Sequence, residues 1–299
     1  MPLPDFILFA QHGWADTHHQ ISGLARNLAT PDTLVISPDL GWLNTWFRIE
    51  PLIAKVEQIA AEAIAHHPHT PIRIIGHSLG GLIWLEVLDR HREWWPQVHG
   101  LVLVGSPVGG SDLGRRLDPF GWGIGIARDL GKNRRPIAEA IATQIPTLSI
   151  AGDINGGSDG TVPIEATKFC HARLVCIQGL KHAVMKNHPA IASAVREFWA
   201  NPDDVPIATD DLATKIINAI QAIPGMTDSH PRGFAESKVW LVCQDGTTVS
   251  TCKNTLLVDR VYVADPEGKC IYSGYVGWVD SAHLWQALGE LKQEFKPQN

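Results

Sequence analysis

The sequence of 299 residues has no long hydrophobic run and no concentration of basic residues. None of its apolar stretches approaches the roughly 20 residues that a membrane-spanning helix needs. The first residues, MPLPDFILFAQHGW, lack a basic region and a small-residue cleavage site, so we expect no signal peptide and a cytoplasmic protein. The formal net charge is −6 and the Lys and Arg residues are dispersed, which argues against a nucleic-acid partner.

Cysteine is also scarce, and its spacing excludes a CxxC-type metal site. In a cytoplasmic protein we expect reduced, mostly buried thiols at the five irregular positions Cys170, Cys176, Cys243, Cys252 and Cys270. The histidine-rich stretch HHPH at 66–69 comes where a helical pattern ends before Pro68. We therefore interpret it as an exposed helix terminus, and no metal site is expected.

Short apolar runs and helical patterns alternate over the first 200 residues. Six of the runs predict strands, at residues 5–10, 33–37, 72–75, 101–104, 146–150 and 174–177. Strands that are apolar on both faces and separated by helices predict a mostly parallel sheet, an α/β fold with helices on both faces. Such a sheet places its working loops at the carboxyl ends of the strands, so catalytic residues are expected directly after a strand.

The pattern changes near residue 201. Residues 201–234 have the composition of a linker and contain one short helical pattern. Residues 235–299 contain two pairs of extended runs, each joined by a turn, followed by an amphipathic helix. We predict a separate small α+β module there, without catalytic chemistry of its own, that docks a partner or self-associates.

One short segment carries the main functional signal. Gly76-His77-Ser78-Leu79-Gly80 matches the G-x-S-x-G nucleophile elbow and lies between a predicted strand and a predicted helix. A serine hydroxyl is a weak nucleophile unless a base accepts its proton and a third group orients that base. The motif alone is weak evidence, so its partners must be sought after the later strands.

Candidate partners for Ser78 do follow the later strands. With them, the chain resembles the α/β-hydrolase superfamily, in its lipase- and esterase-like branch, over about residues 5 to 200. The resemblance implies a triad of Ser78, Asp159 and His182, since the segments SDGTVP and GLKHA follow the fifth and sixth predicted strands. Asp153 is the competing acid, because it lies closer to the strand; its structural interpretation is a turn-forming residue.

The resemblance also implies an oxyanion hole and a lid. The oxyanion donors would be the backbone N–H groups of Trp14 and Leu79, with His12 and Gly13 shaping the loop after the first strand. The insertion at 107–145 stands where the family has its lid, and we expect Trp122 and Ile124 in it to cover an apolar pocket. The first domain, residues 1–200, would thus be catalytic.

The implied reaction is hydrolysis of a carboxylic ester with an apolar acyl chain, through an acyl-enzyme and without a metal or organic cofactor. The expected partner is a small-molecule or lipid ester, with transient contact to a membrane surface. A thioesterase, an acyltransferase or a peptidase could use the same triad. A non-enzymatic binding protein of the same fold is the alternative from another class, although such proteins usually lack a member of the triad.

Overall fold

The computed structural model describes residues 4–110, 125–202, 204 and 211–295. The chain divides into two compact units, Met1–Ile207 and Ala208–Asn299. No helix within the described ranges is both long enough and apolar enough to cross a bilayer.

The first unit contains a sheet of six strands, all parallel, in the order β2-β1-β3-β4-β5-β6. The strands are β1 Ile7–Gln11, β2 Leu34–Ile36, β3 Ile72–His77, β4 Val98–Val104, β5 Thr147–Asp153 and β6 Arg173–Gln178. This confirms the predicted parallel sheet. Strands β3 and β5 continue past their predicted ends, so His77 and Asp153 belong to strands.

Helices cover both faces of this sheet, as predicted. They are α1 His18–Leu28, α2 Glu50–His66, α3 Leu79–Arg90, α4 Ile126–Leu130, α5 Arg135–Ala142, α6 Ile164–Thr167, α7 His182–Met185 and α8 Pro189–Ala200. Alternation along β1 shows the two layers: Ile7 and Phe9 pack in the core with α2 and α3, whereas Leu8 and Ala10 pack with α1 and α8. The sheet is therefore apolar on both faces.

Part of the predicted lid insertion belongs to the core. Ile126 and Leu130 of α4, Ala138 and Ile141 of α5, and Ile145 are buried in the cluster that also contains α2 and α3. These side chains pack α4 and α5 against the core, and the lid at 107–145 stays a prediction. The remainder, including Trp122 and Ile124, lies outside the described residues.

The second unit is a five-stranded antiparallel sheet with two helices, so an α+β module is present as predicted. It begins at Ala208 and not at residue 235, because the helix and the strand within the predicted linker 201–234 belong to its core and its sheet. Its strands have the order β7-β11-β10-β9-β8: β7 Thr227–Asp228, β8 Lys238–Val242, β9 Thr248–Lys253, β10 Asp259–Ala264 and β11 Cys270–Tyr275. Helices α9 Leu212–Gln221 and α10 Ser281–Phe295 contribute Ile216, Ile220, Leu284 and Leu288 to its core. Each unit thus has its own hydrophobic core.

The cysteines form no disulfide, and the histidine-rich stretch lies at an exposed helix end. All five cysteines are free, but only Cys243 is buried, so the expectation of mostly buried thiols is wrong. Burial raises the pKa of the Cys243 thiol to about 11, which keeps it protonated.

Helix α2 ends at His66, where His66 and His69 are exposed, and the described residues contain no cluster of side chains suited to a metal ion.

Candidate active site

Ser78 lies at an abrupt strand-to-helix junction. Strand β3 ends at His77 and α3 begins at Leu79, so one residue makes the whole turn. Its backbone has φ +54° and ψ −122°, a conformation that is strained for a residue with a Cβ. The N–H of Ser78 donates to the Val104 carbonyl at 2.8 Å, which ties the turn to the end of β4. The side chain is half-buried, and its hydroxyl has no hydrogen-bond partner among the described residues.

The glycines on either side of Ser78 are required by close backbone approach. A Cβ at Gly76 would lie 2.8 Å from the carbonyl carbon of Gly80, and a Cβ at Gly80 would lie 2.7 Å from the His12 carbonyl oxygen. Neither neighbour is a flexible side chain that could move away. The first turn of α3 is therefore pressed against β3 and against the loop that follows β1.

Asp159 and His182 are joined by a short hydrogen bond. His182 Nδ1 lies 2.6 Å from Asp159 Oδ2, and the His182 N–H donates to the Asp159 carbonyl at 3.0 Å. The other carboxylate oxygen, Oδ1, accepts the N–H groups of Thr161 and Val162 at 2.9 and 2.7 Å. The buried carboxylate is thus held in one orientation, and it fixes the proton of the imidazole on Nδ1, which leaves Nε2 free to act as a base.

Asp153 has a different environment, although it lies in the same segment. Its Oδ1 accepts three backbone N–H groups, from Asn155, Gly156 and Gly157, at 3.1, 2.7 and 3.0 Å. Burial opposes ionisation, but these hydrogen bonds outweigh it and lower the pKa of the Asp153 carboxyl. Asp153 therefore holds the turn after β5, and its carboxylate forms no hydrogen bond with His182.

The loop after β1 lies against Ser78. A Cβ at Gly13 would be 2.9 Å from Ser78 Cβ, which measures how closely the two backbones approach. Trp14 is the next residue, and Leu79 is the first residue of α3, where backbone N–H groups have no partner inside the helix. The N–H groups of Trp14 and Leu79 therefore belong to the two segments that flank the serine.

His12 supports this loop as a neutral side chain. It is fully buried, and burial lowers the pKa of its imidazole. Its Nε2 accepts the Leu40 N–H at 3.0 Å, so Nδ1 carries the proton and donates to the Gly13 carbonyl at 3.0 Å. Because Nε2 is already an acceptor, the Asp39 carboxylate at 3.5 Å is not its hydrogen-bond partner.

Three further residues that sequence reasoning missed contact this region. His77 packs its ring 4.8 Å from that of His182, and its Nε2 lies 3.2 Å from the His182 carbonyl oxygen. Burial lowers the pKa of His77 well below its usual range, so the ring is neutral and Nε2 donates. Lys186 and Asp16 form an ion pair at 2.8 Å, which links the segment after His182 to the loop after β1. Only the position of His77 inside the elbow motif could have drawn attention to it.

The first 125 residues match a protein-family model. Residues 3–125 match the Hydrolase_4 model, described as serine aminopeptidase, S33. No curated protein matches the sequence significantly.

Two solved structures illustrate the similarity of fold. Est1E from Butyrivibrio proteoclasticus with ferulic acid bound is 16% identical, with a TM-score of 0.52, over 67% of this chain and 90% of that chain. The Bacillus licheniformis lipase BlEst2 in its propeptide form is 13% identical, with a TM-score of 0.52, over 93% of this chain and 69% of that chain. The latter match extends into the second unit, because the first unit ends at Ile207 of 299 residues.

The parallel sheet, the helices on both of its faces and the family match agree with one another. They show that the chain has the α/β-hydrolase fold.

Proposed function

We propose that the protein is a serine hydrolase that cleaves a carboxylic ester with an apolar acyl chain, using Ser78, His182 and Asp159. The observation that carries the proposal is the 2.6 Å bond from His182 to the buried Asp159, with Ser78 in a strained turn at the end of β3. Three residue types from three strand ends, in the order Ser, Asp, His, form the arrangement that activates a serine hydroxyl.

In the first half of the reaction, Ser78 Oγ forms a bond to the ester carbonyl carbon while His182 Nε2 accepts the hydroxyl proton. The carbonyl oxygen becomes an oxyanion, which the N–H groups of Trp14 and Leu79 stabilise. Asp159 keeps the imidazole in the productive tautomer and stabilises the imidazolium. The bond to the alcohol oxygen then breaks, and His182 gives its proton to the leaving alcohol.

In the second half, His182 removes a proton from water, and the water oxygen attacks the acyl carbon. The bond between Ser78 Oγ and the acyl carbon breaks, and the serine oxygen recovers a proton from His182. The products are an alcohol and a carboxylic acid. Every proton passes through His182, so the residues already described suffice for the reaction.

Hydrolysis rates on a panel of esters test the proposal. The panel is a set of p-nitrophenyl esters of increasing acyl length, with an acyl thioester and an aminoacyl amide as controls. We expect turnover of the esters, a rate that rises with acyl length, and loss of turnover in Ser78→Ala. Equal or faster turnover of the aminoacyl amide would favour a peptidase, the activity in the description of the matching family model.

A preference for the thioester would instead move the assignment to a thioesterase. The non-enzymatic alternative predicts that none of these compounds is turned over faster than by the Ser78→Ala variant. The second unit has no assigned chemistry in this proposal, and we retain docking of a partner or self-association as its role.

A further inference from the structure

An exposed aromatic loop lies beside the candidate active site. Residues 42–47, called the aromatic loop below, connect β2 to α2 and contain four large apolar side chains that face solvent: Trp42, Leu43, Trp46 and Phe47. Leu43 alone is 66% exposed. A single exposed apolar residue is ordinary on a protein surface, but four within six residues are a contiguous patch of the kind that marks a binding site.

The aromatic loop is continuous with the loop that flanks Ser78. The Trp14 and Trp46 rings meet edge to face with centroids 4.4 Å apart, and the Trp46 and Trp42 rings follow at 5.5 Å. Trp14 itself comes directly after Gly13, whose backbone presses against Ser78. A row of three indole rings therefore begins beside the candidate nucleophile and leads out to the surface.

The backbone of the aromatic loop is held in place by its polar residues. Asn44 Nδ2 donates to the Leu40 carbonyl at 2.9 Å. The fully buried Thr45 donates its hydroxyl to the Trp42 carbonyl at 2.7 Å and accepts the Ala15 N–H at 3.0 Å. Apolar side chains on a fixed backbone lose little conformational freedom when they bind a ligand, so the surface is ready to bind.

The Thr45 bond also fixes the conformation of the oxyanion loop. Ala15 has φ +51°, an uncommon conformation for a residue with a side chain. The Thr45 hydroxyl accepts the N–H of that strained residue, which directly follows Trp14. Thr45 therefore connects the aromatic loop to the peptide between Trp14 and Ala15, which directly follows the peptide that carries the Trp14 N–H.

We propose that the aromatic loop and Trp14 bind the aliphatic acyl chain of the ester, and that Thr45 is a positioning residue for the oxyanion loop. The inference rests on the proposed function. During the reaction the acyl carbonyl oxygen lies at the Trp14 N–H, so the acyl chain begins beside the Trp14 ring. A chain of medium length then extends over Trp46 and Trp42, whereas an acetyl group ends before it reaches them.

The acyl-length profile of kcat/KM, measured with p-nitrophenyl esters from acetate to octanoate, tests the binding surface. Burial of each methylene on the rings is worth up to about a fourfold rise in kcat/KM for the intact protein. Trp46→Ala and Trp42→Ala are each expected to reduce the octanoate-to-acetate ratio about tenfold or more. Trp278→Ala is the matched control, since Trp278 is also an exposed tryptophan but lies in the second unit; we expect its ratio to equal that of the intact protein.

The positioning role has a separate readout. Thr45→Val removes the acceptor for the Ala15 N–H at nearly constant volume, and we expect kcat to fall on the order of tenfold for every ester with little change in KM. Thr45→Ser keeps the hydroxyl and should restore kcat. A thermal unfolding curve for each variant shows whether the protein is folded.

The outcomes separate the inference from the proposed function. Both loop variants could hydrolyse esters with the same octanoate-to-acetate ratio as the intact protein. That result would contradict the binding surface, while the proposed function would stand. A Thr45→Val effect confined to KM, or no rescue by serine, would contradict the positioning role. No ester turnover by the intact protein would contradict the proposed function and the inference with it.

Discussion

The Ser78 hydroxyl in the first unit and the hydroxyls of Ser229, Ser273 and Tyr262 in the second unit have different surroundings. In the second unit Ser229 and Ser273 are paired at 2.9 Å, and Tyr262 donates to the Arg232 carbonyl at 2.8 Å. In the first unit the half-buried Ser78 hydroxyl has no such partner among the described residues. A polar group satisfied inside the fold contributes to stability, whereas one left open to solvent is available for chemistry.

The sheet type explains this difference. A parallel sheet brings the carboxyl ends of its strands to one edge, so Ser78, Asp159 and His182 can meet there although they follow three different strands, β3, β5 and β6. An antiparallel sheet alternates strand ends at each edge and connects them by short turns. Aspartates at these turns bond to nearby backbone. Asp245 and Asp265, for example, each accept a backbone N–H group of their own turn.

The largest difference between the units is expected when two equally buried aspartates, one in each unit, are replaced by asparagine. Asp159 and Asp259 are each 3% exposed, but Asp159 holds His182 whereas Asp259 pairs with Lys253 and accepts the Ser281 hydroxyl. Asp159→Asn should lower kcat by on the order of 10⁴, because the amide favours the wrong imidazole tautomer. Asp259→Asn should leave kcat within about twofold and cost about 1–2 kcal/mol of unfolding free energy. Steady-state kinetics and urea unfolding of both variants measure the contrast.

Asp153→Asn distinguishes the two candidate acids within the first unit. We expect little change in kcat and a loss of stability, since the Asn amide is a weaker acceptor for three backbone N–H groups. The lowered pKa of Asp153 adds a pH dependence: its stabilisation is present above the unfolded pKa and is lost as pH falls through the folded value. A kcat loss confined to Asp153→Asn would move the acid to that residue.

The buried histidines of the first unit predict a smaller effect, on stability in mild acid. Burial lowers the pKa of both His12 and His77, so they stay neutral in the folded state while the unfolded chain protonates near pH 6.5. Stability is therefore full above that pH and falls as pH decreases below it, by at most about 1.4 kcal/mol per pH unit for each group. His77→Gln should make the decline between pH 7 and pH 5 shallower. An identical slope in the variant would mean that His77 is not held neutral.

Removal of the second unit should have the smallest effect on catalysis. Each unit has its own hydrophobic core, so a chain truncated after Ala200 should fold and hydrolyse p-nitrophenyl acetate within about twofold of the full-length rate. Circular dichroism shows whether the truncated chain is folded. A folded but inactive truncation would mean that the second unit helps to build the site. A large gain in rate would mean that it restrains the first unit.

Much of the fold and the composition of the candidate site can be read from the sequence. The strand periodicity predicted the parallel sheet, and the position of Ser78 directly after a strand selected it as the candidate nucleophile. The choice of Asp159 rather than Asp153 could not be settled from spacing, because it depends on which carboxylate the loop after β5 turns toward His182. Both aspartates follow the strand closely enough to be candidates.

Contacts between distant segments could not be predicted in the same way. The Thr45 hydroxyl accepts the Ala15 N–H across 30 residues of sequence, and no local pattern indicates such a bond. The lid prediction relied on the length and glycine content of the 107–145 insertion, which do not reveal that the apolar residues of α4 and α5 cover α3. Likewise the two predicted hairpins of the second unit are joined by pairing of β9 with β10, which turn signals do not reveal.

The most direct test of the central claim, that Ser78 is a nucleophile activated by His182 and Asp159, is labelling of the protein with a serine-directed fluorophosphonate. Intact mass and peptide mapping should show one phosphonyl group per chain, on Ser78, with no label on Ser78→Ala and much slower labelling of His182→Ala. The reagent requires an activated serine and does not depend on the natural substrate. Labelling at another residue, or equal labelling of the Ser78→Ala variant, would contradict the claim.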